Sequence, residues 1–217
     1  MADGDGAVTG VAIRNIVFDI GNVVVPWDPH GIARRALGEE RVAQPGFKHP
    51  FAGNPLWLAV NRGEHTLAEA KDLYIAHHGL GGAEVDALYE ELMDSMVLIE
   101  ATERLMRELA GAGHRLFAIT DNVREIVALL QQRHDFWPLF EHAAVSAELG
   151  VLKPDPRMYR HILDAGSLKP EECLFFDDVQ RNVEGAEAVG MNARLFTDTG
   201  QARRDLVDLG VEVAAAA

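Results

Sequence analysis

The sequence predicts an α/β protein built on a doubly wound parallel sheet, with an inserted α-helical cap. Three observations support this fold class. Short β-type runs recur along the 217 residues, and most are followed by a stretch with helical periodicity. One interval of about a hundred residues breaks this alternation and contains helical patterns only. Polar residues stand at the carboxyl ends of several β-type runs, where ligands of such sheets bind.

The sheet domain is predicted to comprise residues 12–27 and 98–217. Its five β-type runs are at 13–18, 115–119, 143–145, 174–176 and 194–196. The helical patterns that follow the later runs are near 123–132, 156–165, 183–189 and 201–209. Strands that alternate with helices form a parallel sheet covered by helices on both faces, so the predicted core is Rossmann-like.

The interval at 28–97 is predicted to form the helical cap. Apolar residues recur at helical spacing near 30–38, 67–77 and 83–97, and no convincing strand interrupts them. Most of this apolar stripe is expected to serve packing. Residues 1–11 lack the pattern of a signal peptide and are expected to be a disordered leader.

Bulk composition restricts the partners and the compartment. The formal net charge of −14 disfavours nonspecific binding to nucleic acid or to an anionic membrane. The single cysteine, Cys173, excludes an intrachain disulfide, and a cytoplasmic location is expected. An acidic protein that acts on phosphates needs local cations or a metal ion at its site. Composition leaves the oligomeric state open between a monomer and a homodimer.

Polar residues follow four of the predicted strands. Asp19 follows the first, on a turn that contains Gly21, and Thr120 with Asp121 and Asn122 follows the second. If the first strand lies between the second and the fourth, then Asp19, Thr120 and Asp178 converge at one edge of the sheet. Lys153 lies after the third strand, and the pair Asp177 and Asp178 ends the fourth.

The residue types at these strand ends are those of a phosphate-transfer site. Asp19, Asp178 and the Gly21 carbonyl make an oxygen-rich set suited to Mg²⁺. Thr120 can donate a hydrogen bond to phosphate oxygens, and the Lys153 ammonium can keep Asp19 ionised. Asp19 could then attack phosphorus and form an aspartyl-phosphate that water hydrolyses.

Each residue alone has a simpler explanation. An aspartate at a strand end often caps a turn, and a Thr-Asp-Asn string is commonly the start of a helix. A single lysine is usually a solvated surface residue. The functional interpretation depends on the conjunction, because four polar groups end successive predicted strands in one order.

This conjunction resembles the haloacid dehalogenase-like hydrolase superfamily. The string at 18–23 is similar to its first motif, and Ile119 to Asn122 to its second. Lys153-Pro154 is similar to the third, and Phe176 to Asp178, with Asn182 and Gly185, to the fourth. The string at 19–23 most resembles the branch that contains α-D-glucose-1-phosphate phosphatases.

The resemblance implies a role for each motif residue. Asp19 is implied as the nucleophile and Lys153 as its catalytic partner, with Mg²⁺ as the cofactor. Asp19, Gly21, Asp177 and Asp178 are implied as the metal set, and Asp177 is also implied to orient water or Lys153. Thr120, Asp121 and Asn122 are implied to bind phosphate or substrate, and Arg62 is the cap cation expected to meet the substrate. The implied reaction is hydrolysis of a small phosphorylated metabolite, with a sugar phosphate as one candidate.

Gly21 departs from the pattern of most phosphatases in this superfamily. They carry an aspartate at that position as the general acid and base, a group worth a factor of ~10²–10⁴. Three interpretations remain open. The leaving group needs little help, or Asp28 or a cap residue substitutes for the missing aspartate, or the protein is a catalytically weak phosphate-binding or regulatory protein.

A 2-haloacid dehalogenase is a further alternative, since halide needs no proton. The acidic pair at 177–178 would repel its carboxylate substrate, which favours the phosphatase.

Overall fold

The computed structural model describes residues 11–213, and the expected leader at 1–11 lies almost entirely outside that range. Within it, five strands form one sheet with the order β3-β2-β1-β4-β5. All adjacent pairs are parallel. The strands are β1 (Asn15–Phe18), β2 (Arg115–Thr120), β3 (Phe140–Val145), β4 (Cys173–Asp177) and β5 (Asn192–Leu195).

The first strand occupies the centre of the sheet, between β2 and β4. Its side chains alternate between the two faces, as the period of a β-strand requires. Ile16 and Phe18 pack in one hydrophobic cluster and Val17 packs in the other. Because both faces are covered, the strand is apolar after Asn15, and all four of its residues are buried. The polar residue that follows, Asp19, is therefore held at the end of a rigid element.

Helices connect the later strands, as predicted. They are α6 (Glu100–Gly111), α7 (Arg124–Arg133), α8 (Ser146–Leu149), α9 (Pro156–Ala165), α10 (Gln180–Glu187) and α11 (Thr199–Asp208). The helix predicted at 156–165 has those bounds. The helices predicted near 123–132, 183–189 and 201–209 correspond to α7, α10 and α11, whose bounds differ from the predicted ones by one to three residues. This is the usual uncertainty of helix ends.

In the described chain, helices and no strand lie between β1 and β2. Five of them precede α6: α1 (Pro29–Leu37), α2 (Glu39–Val42), α3 (Pro55–Asn61), α4 (Leu67–His77) and α5 (Gly82–Asp94). The helical character of the interval is confirmed, while the cap boundaries at 27/28 and 97/98 stay predictions. α3 was not predicted as a helix, although its start carries a signal: Asn54 accepts a hydrogen bond from the Leu56 amide at 2.9 Å, and Pro55 occupies the first position.

The turn after α3 docks the helical interval onto the sheet domain. Gly63 has a φ of +69°, and a Cβ atom there would lie 2.1 Å from the carbonyl oxygen of Ala147. Only glycine permits both this backbone conformation and this approach. Arg124 of α7 donates hydrogen bonds to the carbonyls of Gly63 and Ala147, so the contact is bonded as well as close.

Two strands begin earlier in the chain than predicted. β3 begins at Phe140 rather than at 143, since Glu141 and His142 interrupt its apolar pattern although they lie within the strand. β5 begins at Asn192 rather than at 194. In the part of the chain that the structure describes, no helix is both long and apolar enough to cross a membrane.

Candidate active site

Asp19 directly extends the central strand. Its amide donates to the carbonyl of Phe176 on β4 at 2.9 Å, which continues the ladder one residue past β1. Its carboxylate is 7% exposed and accepts from the Ile20 amide at Oδ1, at 2.7 Å. No hydrogen bond is recorded from any described residue to Oδ2. One carboxylate oxygen is therefore fixed, and the other is left for a ligand or a metal.

Lys153 neutralises two carboxylates in the floor of the site. Its Nζ lies 2.8 Å from Oδ1 of Asp19 and 2.7 Å from Oδ2 of Asp177, and it donates to the carbonyl of Ile119 at 3.3 Å. An ammonium has three N–H groups, and these contacts use all three. The prediction that Lys153 supports Asp19 fits this geometry, with orientation and charge as its contribution.

The charges in this cluster are unequal. Burial raises the pKa of Asp19 well above its ordinary value, and the charge of Asp177 adds to the effect while Lys153 opposes it. Burial also opposes the charge of Lys153, but Asp19 and Asp177 outweigh it and hold the lysine's pKa above its ordinary value. One cation thus faces two buried carboxylates, and additional positive charge at this position would be stabilising.

The acidic pair after β4 divides into two environments. Asp177 is fully buried, and both of its oxygens accept from Asn182 Nδ2, at 3.0 and 3.2 Å, besides the bond to Lys153. Asp178 is half-buried and accepts from Asn22 Nδ2 at 2.8 Å. Asp177 is consequently committed to orienting Lys153, whereas Asp178 keeps free acceptor capacity toward the site.

The donor set suits a hard divalent cation. One carboxylate oxygen from each of Asp19, Asp177 and Asp178 lies within 4.8 Å of the others. The Gly21 carbonyl accepts no hydrogen bond that is recorded among residues 11–213. Oxygen ligands, excess negative charge and a free carbonyl match the preference of Mg²⁺. Asp19, Asp178 and Gly21 fit the predicted metal site best, because the oxygens of Asp177 already have partners.

The turn at Asn22 holds the first loop against the acidic pair. Asn22 has a φ of +56°, uncommon for a residue other than glycine. Its Oδ1 accepts from the Trp27 amide at 2.8 Å while its Nδ2 binds Asp178. The side chain thus connects the loop after β1 to the loop after β4. Sequence analysis assigned Asn22 no role, although asparagine next to a glycine is a known turn signal.

The loop after β2 contributes differently from the prediction. Asp121 Oδ1 accepts from the amide of Lys153 at 2.9 Å, and burial raises the pKa of this carboxyl. Asn122 is fixed by Ser146, whose Oγ accepts from its amide at 2.9 Å and donates to the carbonyl of Asn61 at 2.6 Å. Thr120 is buried at the end of β2. Ser146, which links this loop to the helical interval, was not singled out from sequence.

A cavity of about 290 Å³ opens beside Asp19. Its charged floor consists of Asp19, Asp121, Lys153, Asp178 and Arg181. Asn122 and Gly21 also line the cavity, whereas Thr120 and Arg62 are absent from its lining.

The predicted substrate cation, Arg62, and a second arginine, Arg181, differ in their position relative to the cavity. Arg62 lies at the end of α3, and its Nε is 2.5 Å from Oε1 of Glu64. Arg181 is exposed in the first turn of α10 and lines the cavity. No hydrogen bond or ion pair of Arg181 is recorded in the described chain. Sequence analysis missed Arg181, for which the proximity of position 181 to the acidic pair was the available signal.

Away from the charged side chains much of the cavity lining is apolar, although Asn22, Asn122 and Asn182 also line it. The aromatic wall is defined here as Trp27, Phe51, Trp57, Leu58, Asn61 and Met96. Trp27 and Trp57 stack with ring centroids 5.9 Å apart and planes 11° from parallel. Phe51 packs edge-on against Trp57 at 4.8 Å. These rings both pack the helical interval and line the cavity. The sequence did not distinguish between these two roles.

Comparison with known proteins identifies the family of this chain. The family model for haloacid dehalogenase-like hydrolases matches residues 13–190. Sesquiterpene phosphatase astK of Aspergillus oryzae is 28% identical over 186 residues, covering 84% of this chain and 89% of that protein. Phosphatase MT3486 of Mycobacterium tuberculosis is 46% identical over 113 residues, which span 48% of this chain and about half, 51%, of that protein.

Solved structures show the same architecture. A haloacid dehalogenase family enzyme from Bacteroides thetaiotaomicron, in complex with magnesium and inorganic phosphate, superposes with a TM-score of 0.70. The match has 17% identity and covers 86% of this chain and 95% of that one, so the likeness concerns the fold alone. The motif match, the strand order and the cluster around Asp19 together show that this chain belongs to the haloacid dehalogenase-like hydrolases.

Proposed function

We propose that the protein is a Mg²⁺-dependent phosphomonoester hydrolase that acts on a small phosphorylated metabolite through an aspartyl-phosphate. The observation that carries the proposal is the state of Asp19. Lys153 and the Ile20 amide fix its Oδ1, and Oδ2 faces no recorded partner among the described residues. A carboxylate that is oriented and charge-compensated on one oxygen is prepared to act as a nucleophile with the other.

The proposed reaction has two displacements. Asp19 Oδ2 attacks phosphorus, the bond from phosphorus to the alcohol oxygen breaks, and the alcohol oxygen takes up a proton from solvent. Water then attacks phosphorus and gives up a proton to solvent, the bond from phosphorus to Asp19 Oδ2 breaks, and inorganic phosphate leaves the restored Asp19 carboxylate. Lys153 remains charged throughout and limits the mutual repulsion of Asp19 and Asp177. The Arg181 guanidinium and the side-chain Nδ2 of Asn122 are the proposed donors to the phosphate oxygens.

Mg²⁺ is the proposed cofactor. Asp19, Asp178 and the Gly21 carbonyl would hold it, and it would supply positive charge at the phosphate when bound. The net negative charge of the buried cluster supports this assignment. In the same proposal Asp177 serves the lysine rather than the metal.

The proton for the leaving alcohol has no donor at position 21. Asp28, one of the substitutes considered, accepts from the Gly31 amide at 2.8 Å as the N-cap of α1 and is not part of the cavity lining. A Cβ atom at position 21 would lie 3.7 Å from Trp27 Cβ, an ordinary contact. The glycine is thus required neither by the backbone conformation nor by the space that a Cβ atom needs.

The alcohol part of the substrate is a separate question. A sugar phosphate, which the sequence resemblance implies, is one candidate. The names of the relatives favour no single alcohol, because one is named for a sesquiterpene and another, 24% identical, for flavin mononucleotide. The acidic charge and the single cysteine support a cytoplasmic protein that binds neither nucleic acid nor membrane, as a monomer or a homodimer.

A phosphate-release screen tests the proposed function. The purified protein is assayed on a panel of phosphomonoesters with Mg²⁺, and again with EDTA. Asp19→Asn is the matched control, because it keeps the size and the Oδ1 acceptor while removing the nucleophile. We expect release that requires Mg²⁺ and falls at least ~10³-fold in Asp19→Asn. Release that persists at the wild-type rate in this variant would exclude the mechanism.

A catalytically weak phosphate-binding or regulatory protein is the second candidate, favoured by Gly21. Gly21→Asp separates the two, and a Cβ atom at this position makes only an ordinary contact with Trp27. A gain of ~10²-fold or more on every substrate would indicate that the natural protein is a weak catalyst. No gain, or a loss, would indicate an enzyme adapted to glycine. The dehalogenase alternative is tested by halide release from 2-chloropropionate in EDTA, which we expect to be absent.

A further inference from the structure

The cavity beside Asp19 combines a charged floor with a wall of very different chemistry. Every charged side chain of its lining follows a strand of the sheet, and the aromatic wall carries none. Resting on the proposed phosphatase function, we propose that the alcohol part of the substrate is apolar, a hydrocarbon chain or ring rather than a sugar.

The wall is a fixed apolar surface. Phe51 is 1% exposed and touches both indole rings, with centroids 6.0 Å from Trp27 and 4.8 Å from Trp57. The three mutually packed rings present mainly carbon atoms, and the two indole N–H groups are their only polar atoms. Burial of a ligand's apolar surface against them is favourable in proportion to the area covered.

Leu58 extends this surface to solvent. It is 42% exposed and lines the cavity from α3, one residue after Trp57. Large aliphatic side chains are found exposed in proteins, but here the exposed residue continues a buried aromatic surface that leads to the nucleophile. A hydrocarbon chain attached to a phosphate at Asp19 would cover it.

A sugar would find few partners on this wall. Among the six residues of the wall, Asn61 alone has an amide side chain, and its Nδ2 already donates to the Trp57 carbonyl at 2.8 Å, which leaves its Oδ1 to accept from one hydroxyl. Further sugar hydroxyls placed against the rings would lose water without replacement. Each such hydroxyl is expected to lower affinity about tenfold.

Binding of phosphonates tests the proposal without turnover. Methyl-, butyl- and hexylphosphonate, with 6-hydroxyhexylphosphonate, are titrated into the wild-type protein with Mg²⁺ by calorimetry. We expect affinity to rise up to about fourfold per buried methylene, the equivalent of ~0.8 kcal/mol, until the chain fills the 290 Å³ cavity. The terminal hydroxyl should cost about tenfold. Equal affinity for methyl- and hexylphosphonate, or binding of neither, would overturn the proposal.

Two matched variants locate the effect. Leu58→Asn should reduce the preference for hexyl- over methylphosphonate about threefold to tenfold. Ile75→Asn is the control, because Ile75 lies on α4 with a similar exposure of 41% but outside the cavity lining, and it should change the preference by less than twofold. An equal effect of both variants would contradict the proposed wall.

The outcomes separate this proposal from the proposed function. Chain-length dependence without phosphate release in the screen would remove the phosphatase assignment and retain the apolar wall. Phosphate release with no dependence on chain length would do the reverse.

Discussion

The charged floor and the aromatic wall of the cavity are stabilised by different forces. In the floor, individual bonds fix individual atoms: Lys153 uses all three of its N–H groups, and Asp177 accepts from two side chains. In the wall, Phe51 and Trp57 are positioned by shape and burial, with few directed bonds. A polar site therefore depends on each partner, whereas a packed site depends on volume.

The difference also separates two functions. The floor consists of residues at the ends of parallel strands, whose positions the sheet dictates. The wall comes mainly from the helical interval, whose sequence can change without disturbing the sheet. A reaction common to a family can thus be retained in the floor while the wall selects the alcohol.

The largest effect is expected in the floor, from Lys153→Met. The variant leaves Asp19 and Asp177 buried beside each other without their cation, so we expect activity to fall at least ~10³-fold and the free energy of unfolding to drop by ~3–5 kcal/mol. Phosphate release and urea denaturation measure the two effects. Lys169→Met, at an exposed lysine, is the control and should shift stability by less than ~0.5 kcal/mol. A fully stable Lys153→Met would show that the floor does not depend on the lysine.

In the wall, truncation should act on stability first. Phe51→Ala removes a buried ring that packs edge-on against both Trp27 and Trp57, and we expect the free energy of unfolding to fall by ~3–4 kcal/mol. Leu58→Ala, at a 42% exposed site, should cost less than ~1 kcal/mol. Urea denaturation of the two variants makes the comparison. Equal losses would mean that the wall is not packed around Phe51.

The two arginines test where the charged floor ends. Arg181→Ala should raise KM for any phosphomonoester about tenfold, because Arg181 lines the cavity without a recorded partner in the described chain. Arg62→Ala should leave KM within twofold, since Arg62 pairs with Glu64 outside the lining. Steady-state kinetics of both variants at fixed ionic strength measure this. The reverse order would restore the role that sequence analysis gave to Arg62.

The smallest effect is a pH dependence behind the wall. His49 Nδ1 accepts from the amides of Phe51 and Ala52 at 3.1 and 2.9 Å, which requires the neutral ring. Burial lowers the pKa of His49 below its ordinary value, with a further contribution from His30. The unfolded chain therefore binds the proton more readily, so this contribution to stability is present above about pH 6.5 and is lost as the pH falls below it.

His49→Asn measures that contribution, because asparagine keeps a short acceptor that does not titrate. Urea denaturation between pH 8 and pH 5 should show a shallower loss of stability in the variant than in the wild type. Identical slopes would mean that the two amide bonds do not depend on the charge of His49.

Several features of the molecule could be predicted from the residues in order. The apolar run before Asp19 and the strand–helix alternation predicted the parallel sheet, because burial on both faces requires that pattern. The polar residues at the strand ends predicted the cluster around Asp19, because parallel strands of a sheet end at one edge. Helix α3 was missed although Asn54 and Pro55 mark its start, since only seven residues show too little periodicity.

By itself, the sequence determined the fold class and the residue types that follow the strands, because hydrophobic periodicity and motif spacing are local properties of the chain. Only the tertiary structure decided which residues meet across long separations. It placed Arg181 rather than Arg62 at the cavity, committed Asp177 to Lys153, and joined Trp27 to Trp57 in one wall. The physical reason is that contacts between loops depend on how the helices pack, which no short stretch of residues encodes.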